Sequence, residues 1–172
     1  MKKHNGMRPQ DIVILMKIIA LEHDNWRNLD LAHSLHISAS EVSEALNRCK
    51  IAGLIDHRKR NIHPNALKEF LIYGLKYVFP AEPGGIVKGI PTAHSANPIK
   101  KNFMSDSIYV WSHEKGNAMG QAIEPLYSTV PGVVYEDEKF YELMVIIDTI
   151  RIGRAREISI AIEELNHRIK NV

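Results

Sequence analysis

The chain has 172 residues, of which 45% are hydrophobic and 24% charged, with a formal net charge of +2. That length and apolar content provide for a buried core and exclude a disordered chain. A charge this near neutral identifies no nucleic-acid or membrane partner by itself, although the positive excess sits early: eleven Lys/Arg stand against eight Asp/Glu up to Phe70, and eleven against twelve beyond.

The start, MKKHNGMRPQD, carries basic residues without the apolar region of a secretory signal. Ile12 to Leu21 is apolar but too short to span a bilayer, and it runs straight into Glu22-His23-Asp24. A single cysteine, Cys49, excludes an internal disulfide and fits a reducing compartment. A soluble cytoplasmic protein with no membrane partner is expected.

Arg8 to Leu21 is predicted as a first helix. Ile12, Val13, Leu15, Met16, Ile18, Ile19 and Leu21 leave it apolar almost all round, so it needs cover on more than one side, from the C-terminal helices or from a second protomer. Trp26 reads as a packing residue. Asn28 to Leu35 makes a short amphipathic helix with Leu31, Ala32 and Leu35 on one side, and Ile37 plugs the space before the next element.

Ser38 and Glu41 have the S-x-x-E spacing of a reciprocal capping box, so a helix starts near Ala39. Val42, Ala45, Leu46 and Cys49 form its apolar face. Ser40, Ser43, Glu44, Asn47 and Lys50 form the polar one, and Arg48 borders it. Cys49 on the apolar face reads as a packed thiol rather than a redox sensor. Gly53 ends the helix, Leu54-Ile55-Asp56 reads as a strand, and His57-Arg58-Lys59-Arg60-Asn61 as a hairpin tip returning through Ile62. Three successive cations there suit a phosphate backbone; a solvated loop is the plain alternative.

In this order of parts the chain resembles the winged helix-turn-helix transcription regulators, in the broad sense that includes the MarR-, ArsR- and GntR-like groups. The matching residues are Leu31-Ala32, His36-Ile37-Ser38, Val42 with Ala45-Leu46, and Ala52-Gly53-Leu54-Ile55. The resemblance implies that Ala39 to Ile51 is a recognition helix entering the major groove of double-stranded DNA. It assigns Ser40, Ser43, Glu44, Asn47 and Arg48 to base edges. Ser38, Lys50, His57, Arg58, Lys59 and Arg60 fall to the phosphates and the wing.

Pro64 suits the first turn of a further helix running to about Tyr77. From Phe79 to about Met119, Pro80, Pro83, Gly84, Gly85, Gly89, Pro91 and Pro98 interrupt any helix, and Ser107 to Trp111 is the one clear strand. Lys88, Lys100 and Lys101 are available there for phosphate contacts. GGIVKGIPTAHS lacks the order of a P-loop. Asp137 reopens the helical pattern, with Glu136-Asp137-Glu138 as a helix N-terminus and Phe140, Leu143, Met144, Ile147 and Ile150 as its stripe. Gly153 breaks the run, and Ala155, Ile158, Ala161, Ile162, Leu165 and Ile169 define a partner helix. The pair is either a dimer interface or part of an intramolecular bundle.

The nine histidines are scattered, and no H-E-x-x-H motif, Cys/His cluster, nucleophile elbow or dinucleotide fingerprint occurs. No metal, cofactor or catalytic residue is expected. The fold class expected is mainly α with a small β wing: a winged helix-turn-helix domain over 1–78, an irregular Pro/Gly-containing segment with a short strand over 79–135, and a C-terminal helical hairpin over 136–172. The function expected is that of a sequence-specific DNA-binding regulator, a homodimeric repressor. The alternative is a protein-interaction module, an antitoxin-like partner that docks through the same fold, and a small enzyme centred on His94 or His113 ranks third.

Overall fold

Pro9 opens the first helix, α1 (Pro9–Leu21), in the computed structural model of the chain, which describes residues 5–170. Asp11 caps α1 by accepting the Arg8 backbone N–H at 2.9 Å, satisfying one of the donors that a helix start leaves unpaired. Ile12 through Met16 are completely buried, as the all-round apolar pattern requires. Two helices give this cover, α3 (Ala39–Ile51) and α7 (Glu138–Ile152).

Between α1 and α3 lies α2 (Asn28–Leu35), which ends at His36 in the left-handed region (φ 53°). Ile37 is buried in the turn, and Ser38 then starts α3. After α3, Gly53 takes φ +77° and the chain forms a hairpin whose ladder is one antiparallel bridge, Ile55 to Ile62. Flanking bonds from Asp56 N–H to the Asn61 carbonyl and from His63 N–H to the Leu54 carbonyl, both 2.9 Å, extend it. The helix expected over 64–77 is interrupted at Gly74, a poor helix former, giving α4 (Pro64–Tyr73) and α5 (Leu75–Val78).

The segment over 79–135 is more ordered than its composition suggests. Three strands, β1 (Ile86–Pro91), β2 (Tyr109–Ser112) and β3 (Ala118–Ala122), each pair with the other two. β1 runs antiparallel to both, and β2 and β3 are parallel. The strand expected over 107–111 therefore begins two residues later. Gly89 faces Ser112 on one side and Ala118 on the other, and a Cβ there would stand 2.1 Å from the Trp111 carbonyl oxygen. A short helix, α6 (Val130–Val133), follows the sheet.

Asp137 caps α7 by accepting the Phe140 N–H at 3.0 Å and pairs with Lys17 of α1 at 2.6 Å, so the acidic run does stand at a helix start. Gly153 and Arg154 connect α7 to α8 (Ala155–Arg168), completing the expected helical hairpin. Ile12 and Ile147 are fully buried within the single chain, while Ile19, Ile158 and Ile162 are half-buried. The first helix therefore needs no second protomer to cover it, because α7 fills that place. One hydrophobic cluster draws on all three segments of the chain.

A buried polar network joins α7 to the sheet. Asp148 accepts hydrogen bonds from Trp111 Nε1 at 2.6 Å, Thr92 Oγ1 at 2.9 Å and Arg151 at 2.8 Å. Arg151 also donates to the carbonyls of Phe79 and Glu124, at 2.9 and 3.1 Å. Burial pushes the Asp148 carboxyl up from its usual value, and the Arg151 charge with these donors opposes that shift. The fold is thus mainly helical with a small three-stranded sheet, and among the described residues no helix is long and apolar enough to cross a membrane.

Candidate nucleic-acid interface

The capping box at the start of α3 is formed as its residues require. Ser38 Oγ accepts the Glu41 N–H at 3.2 Å, and the Glu41 carboxylate accepts the Ser38 N–H at 3.2 Å and the Ser38 hydroxyl at 2.9 Å. Ser38 is exposed, but its hydroxyl is committed to the cap and to Ser40 Oγ at 3.1 Å.

Helical periodicity then divides α3. Val42, Ala45, Leu46 and Cys49 are buried, and burial pushes the Cys49 thiol far above its usual value, so it packs rather than reacts. Ser40 and Glu44 are exposed, and Ser43, Asn47 and Lys50 half-buried, which leaves these polar groups along one open side of the helix. Ile51, four residues after Asn47 and seven after Glu44, falls on the same side and is 61% exposed.

Arg48 departs from the expected base-reading set. Its side chain is 7% exposed and turns inward, donating from Nε at 2.8 Å and Nη2 at 2.7 Å to the two oxygens of Asp11, which is completely buried. The same Asp11 carboxylate caps α1, so one buried group fixes the start of α1 against α3. A guanidinium that pairs bidentately with a buried carboxylate has no reason to leave it for a base edge, and Arg48 is withdrawn from the set. The signal for this was present as an acid set directly before the apolar run IVILM.

At the hairpin tip, Asp56 accepts the backbone N–H of Arg60 at 2.7 Å and of Asn61 at 3.2 Å, together with the Asn61 side-chain amide at 2.9 Å. The Arg60 N–H above all, with the two Asn61 donors, holds the Asp56 carboxyl below the usual carboxylate range. Lys59 takes the left-handed conformation (φ 57°) in this tight turn. His57 and Arg58 are exposed and Lys59 half-buried. Arg60 is engaged elsewhere. Its guanidinium stacks over the ring of Trp26 at 4.7 Å and donates to the Trp26 carbonyl, holding the hairpin against the segment that leads into α2. Trp26 is a packing residue, as expected, and among the described residues Arg58 and Lys59 are the tip cations without such a tie.

The histidines singled out as alternative chemistry are placed apart. His94 is buried between Tyr109 and Phe103, with Nε2 2.8 Å from the Ser107 carbonyl and Nδ1 3.9 Å from the Glu157 carboxylate. His113 Nδ1 accepts the Lys115 N–H at 3.2 Å. No group of three or more His, Cys, Asp or Glu suited to a metal ion occurs among the described residues. Compared with protein-family models, curated proteins and solved structures, the chain gives no match.

Proposed function

We propose that the chain is a sequence-specific regulator that binds double-stranded DNA and acts as a repressor, with α3 in the major groove in the manner of winged helix-turn-helix proteins. The observation that carries this reading is the open polar side of α3, Ser40, Ser43, Glu44 and Asn47, on a helix anchored through its opposite face and followed directly by the Arg58-Lys59 tip. A major groove about 12 Å wide admits one helix, where Asn reads adenine bidentately, Glu accepts from cytosine and Ser serves either. The hairpin cations then supply phosphate contacts that carry no sequence information.

Two chains acting together follow from the chemistry of reading rather than from any uncovered core. One helix reads few base pairs, and two-fold pairing sets two helices about 34–36 Å apart on one side of the duplex. Chain-to-duplex stoichiometry on a selected site tests this directly, with two chains per site expected.

Selection from a pool of random duplexes should return a recurring sequence, and Asn47→Ala should cost about 1–3 kcal/mol on that sequence while leaving binding to unrelated duplex almost unchanged. Equal losses on both, or a pool that returns no preference, would refute α3 as the reading element. A second reading, a protein-docking module, is favoured by Leu29 and Ile51, apolar side chains that are 64% and 61% exposed. It predicts that Ile51→Ser abolishes capture of a protein partner and that the chain passes a duplex column at low salt.

A further inference from the structure

The loop before β2 and the first turn of α8 border a half-open surface pocket of about 370 Å³, lined by Lys101, Asn102, Phe103, Met104 and Arg156. Its size falls within the ~300–1,000 Å³ typical of small-molecule sites. Its lining is divided by chemistry. Lys101 and Arg156 supply two positive charges, Asn102 an amide, and Phe103 and Met104 an apolar surface on which Met104 is 98% exposed.

Both cations lack a protein partner, since neither Lys101 nor Arg156 makes an ion pair or side-chain hydrogen bond among the described residues. Arg156 stands at the second position of α8, where the neighbouring Glu157 carboxylate turns inward to accept the Arg154 N–H at 2.9 Å and so leaves the Arg156 charge to the solvent side. The loop is held on both sides of this pocket. Ile99 is fully buried before it, and the Ser107 carbonyl after it lies 2.8 Å from His94 Nε2. The His94 ring in turn lies 5.8 Å from the ring of Phe103. The pocket's wall is therefore tethered to the core, which lowers the ordering cost of filling it.

We propose that this pocket binds a small organic carboxylate, with its anionic head between Arg156 and Lys101 and its apolar body against Phe103 and Met104. An arginine fork matches the two oxygens of a carboxylate, and the lysine adds a second charge. The exposed methionine is a flexible, polarisable surface that adapts to an aliphatic or aromatic body. The site is separate from α3 and the hairpin, so it stands whether or not the chain binds DNA.

The test is calorimetric titration of the intact chain with octanoate at low ionic strength, beside octanol as the uncharged homologue. One saturable event per chain is expected for octanoate, weakened about tenfold by Arg156→Gln and again by Lys101→Gln, both at exposed positions where circular dichroism should remain that of the parent. Met104→Ser should weaken octanoate less than either charge change. Absence of saturable binding, equal affinity in the charge variants, or octanol bound as tightly as octanoate would overturn the proposal.

Discussion

Arg48→Ala should lower the unfolding free energy by about 3–5 kcal/mol, because it leaves the fully buried Asp11 carboxylate without its bidentate partner. For a domain whose total stability is typically about 5–15 kcal/mol, that is a loss large enough to be seen as a marked fall in the urea midpoint. The double variant Asp11→Leu/Arg48→Met should recover much of the loss, since it removes both charges together and fills the space with apolar groups. The folded fraction of Arg48→Ala should still discriminate among duplex sequences as the parent does. A stable, fully folded Arg48→Ala that had lost its discrimination would return Arg48 to the bases and contradict the buried pair.

Asp148→Ala should be as severe, at about 3–5 kcal/mol, for a related reason. Arg151 would remain as a buried charge, and the Trp111 indole N–H and the Thr92 hydroxyl would lose their acceptor. The change in Trp111's surroundings gives a direct readout, because its fluorescence and the urea transition should shift together. Thr92→Val, which removes one donor from the network and leaves the charge pair intact, should cost clearly less, about 1–3 kcal/mol at most. If Asp148→Ala unfolds at the parent's urea concentration, the network does not secure the sheet to α7.

The helices are legible in the sequence because their signals are local. The Ser38–Glu41 box, the Asp137 cap and the stripes of α3, α7 and α8 each lie within a few turns of chain, and the helices start where these residues place them. The sheet is not, because its pairing is nonlocal and its strands carry the residues that usually interrupt structure. Gly89 lies inside β1 and Gly120 inside β3, where side chains would collide with the neighbouring backbone, so Gly89, which reads as a breaker, is instead one of the residues that allow the strands to approach. Gly74 shows the opposite case, a glycine within a helical pattern that does interrupt it.

For the candidate site, periodicity defines the polar side of α3 but not its border. Arg48 sits next to Cys49 at the edge of the apolar face, and only Asp11, 37 residues earlier, decides that it turns inward. Adjacency in sequence likewise groups Arg60 with Arg58 and Lys59, whereas its stacking on Trp26 depends on a contact 34 residues away. Asp148 and Arg151 are polar interruptions of an apolar helix, a pattern that signals a buried pair without naming Trp111 and Thr92 as the other members.

Retention of the chain on a selected duplex across a salt series tests the central proposal most directly. The DNA-binding account predicts that log affinity falls linearly with log salt, and that replacing Arg58 and Lys59 by Ala makes the slope shallower by about 0.9 for each phosphate contact removed, while Asn47→Ala leaves the slope unchanged and lowers affinity for the selected site. A folded chain that fails to bind duplex at low salt, or binds it with a slope indifferent to Arg58 and Lys59, would contradict the account.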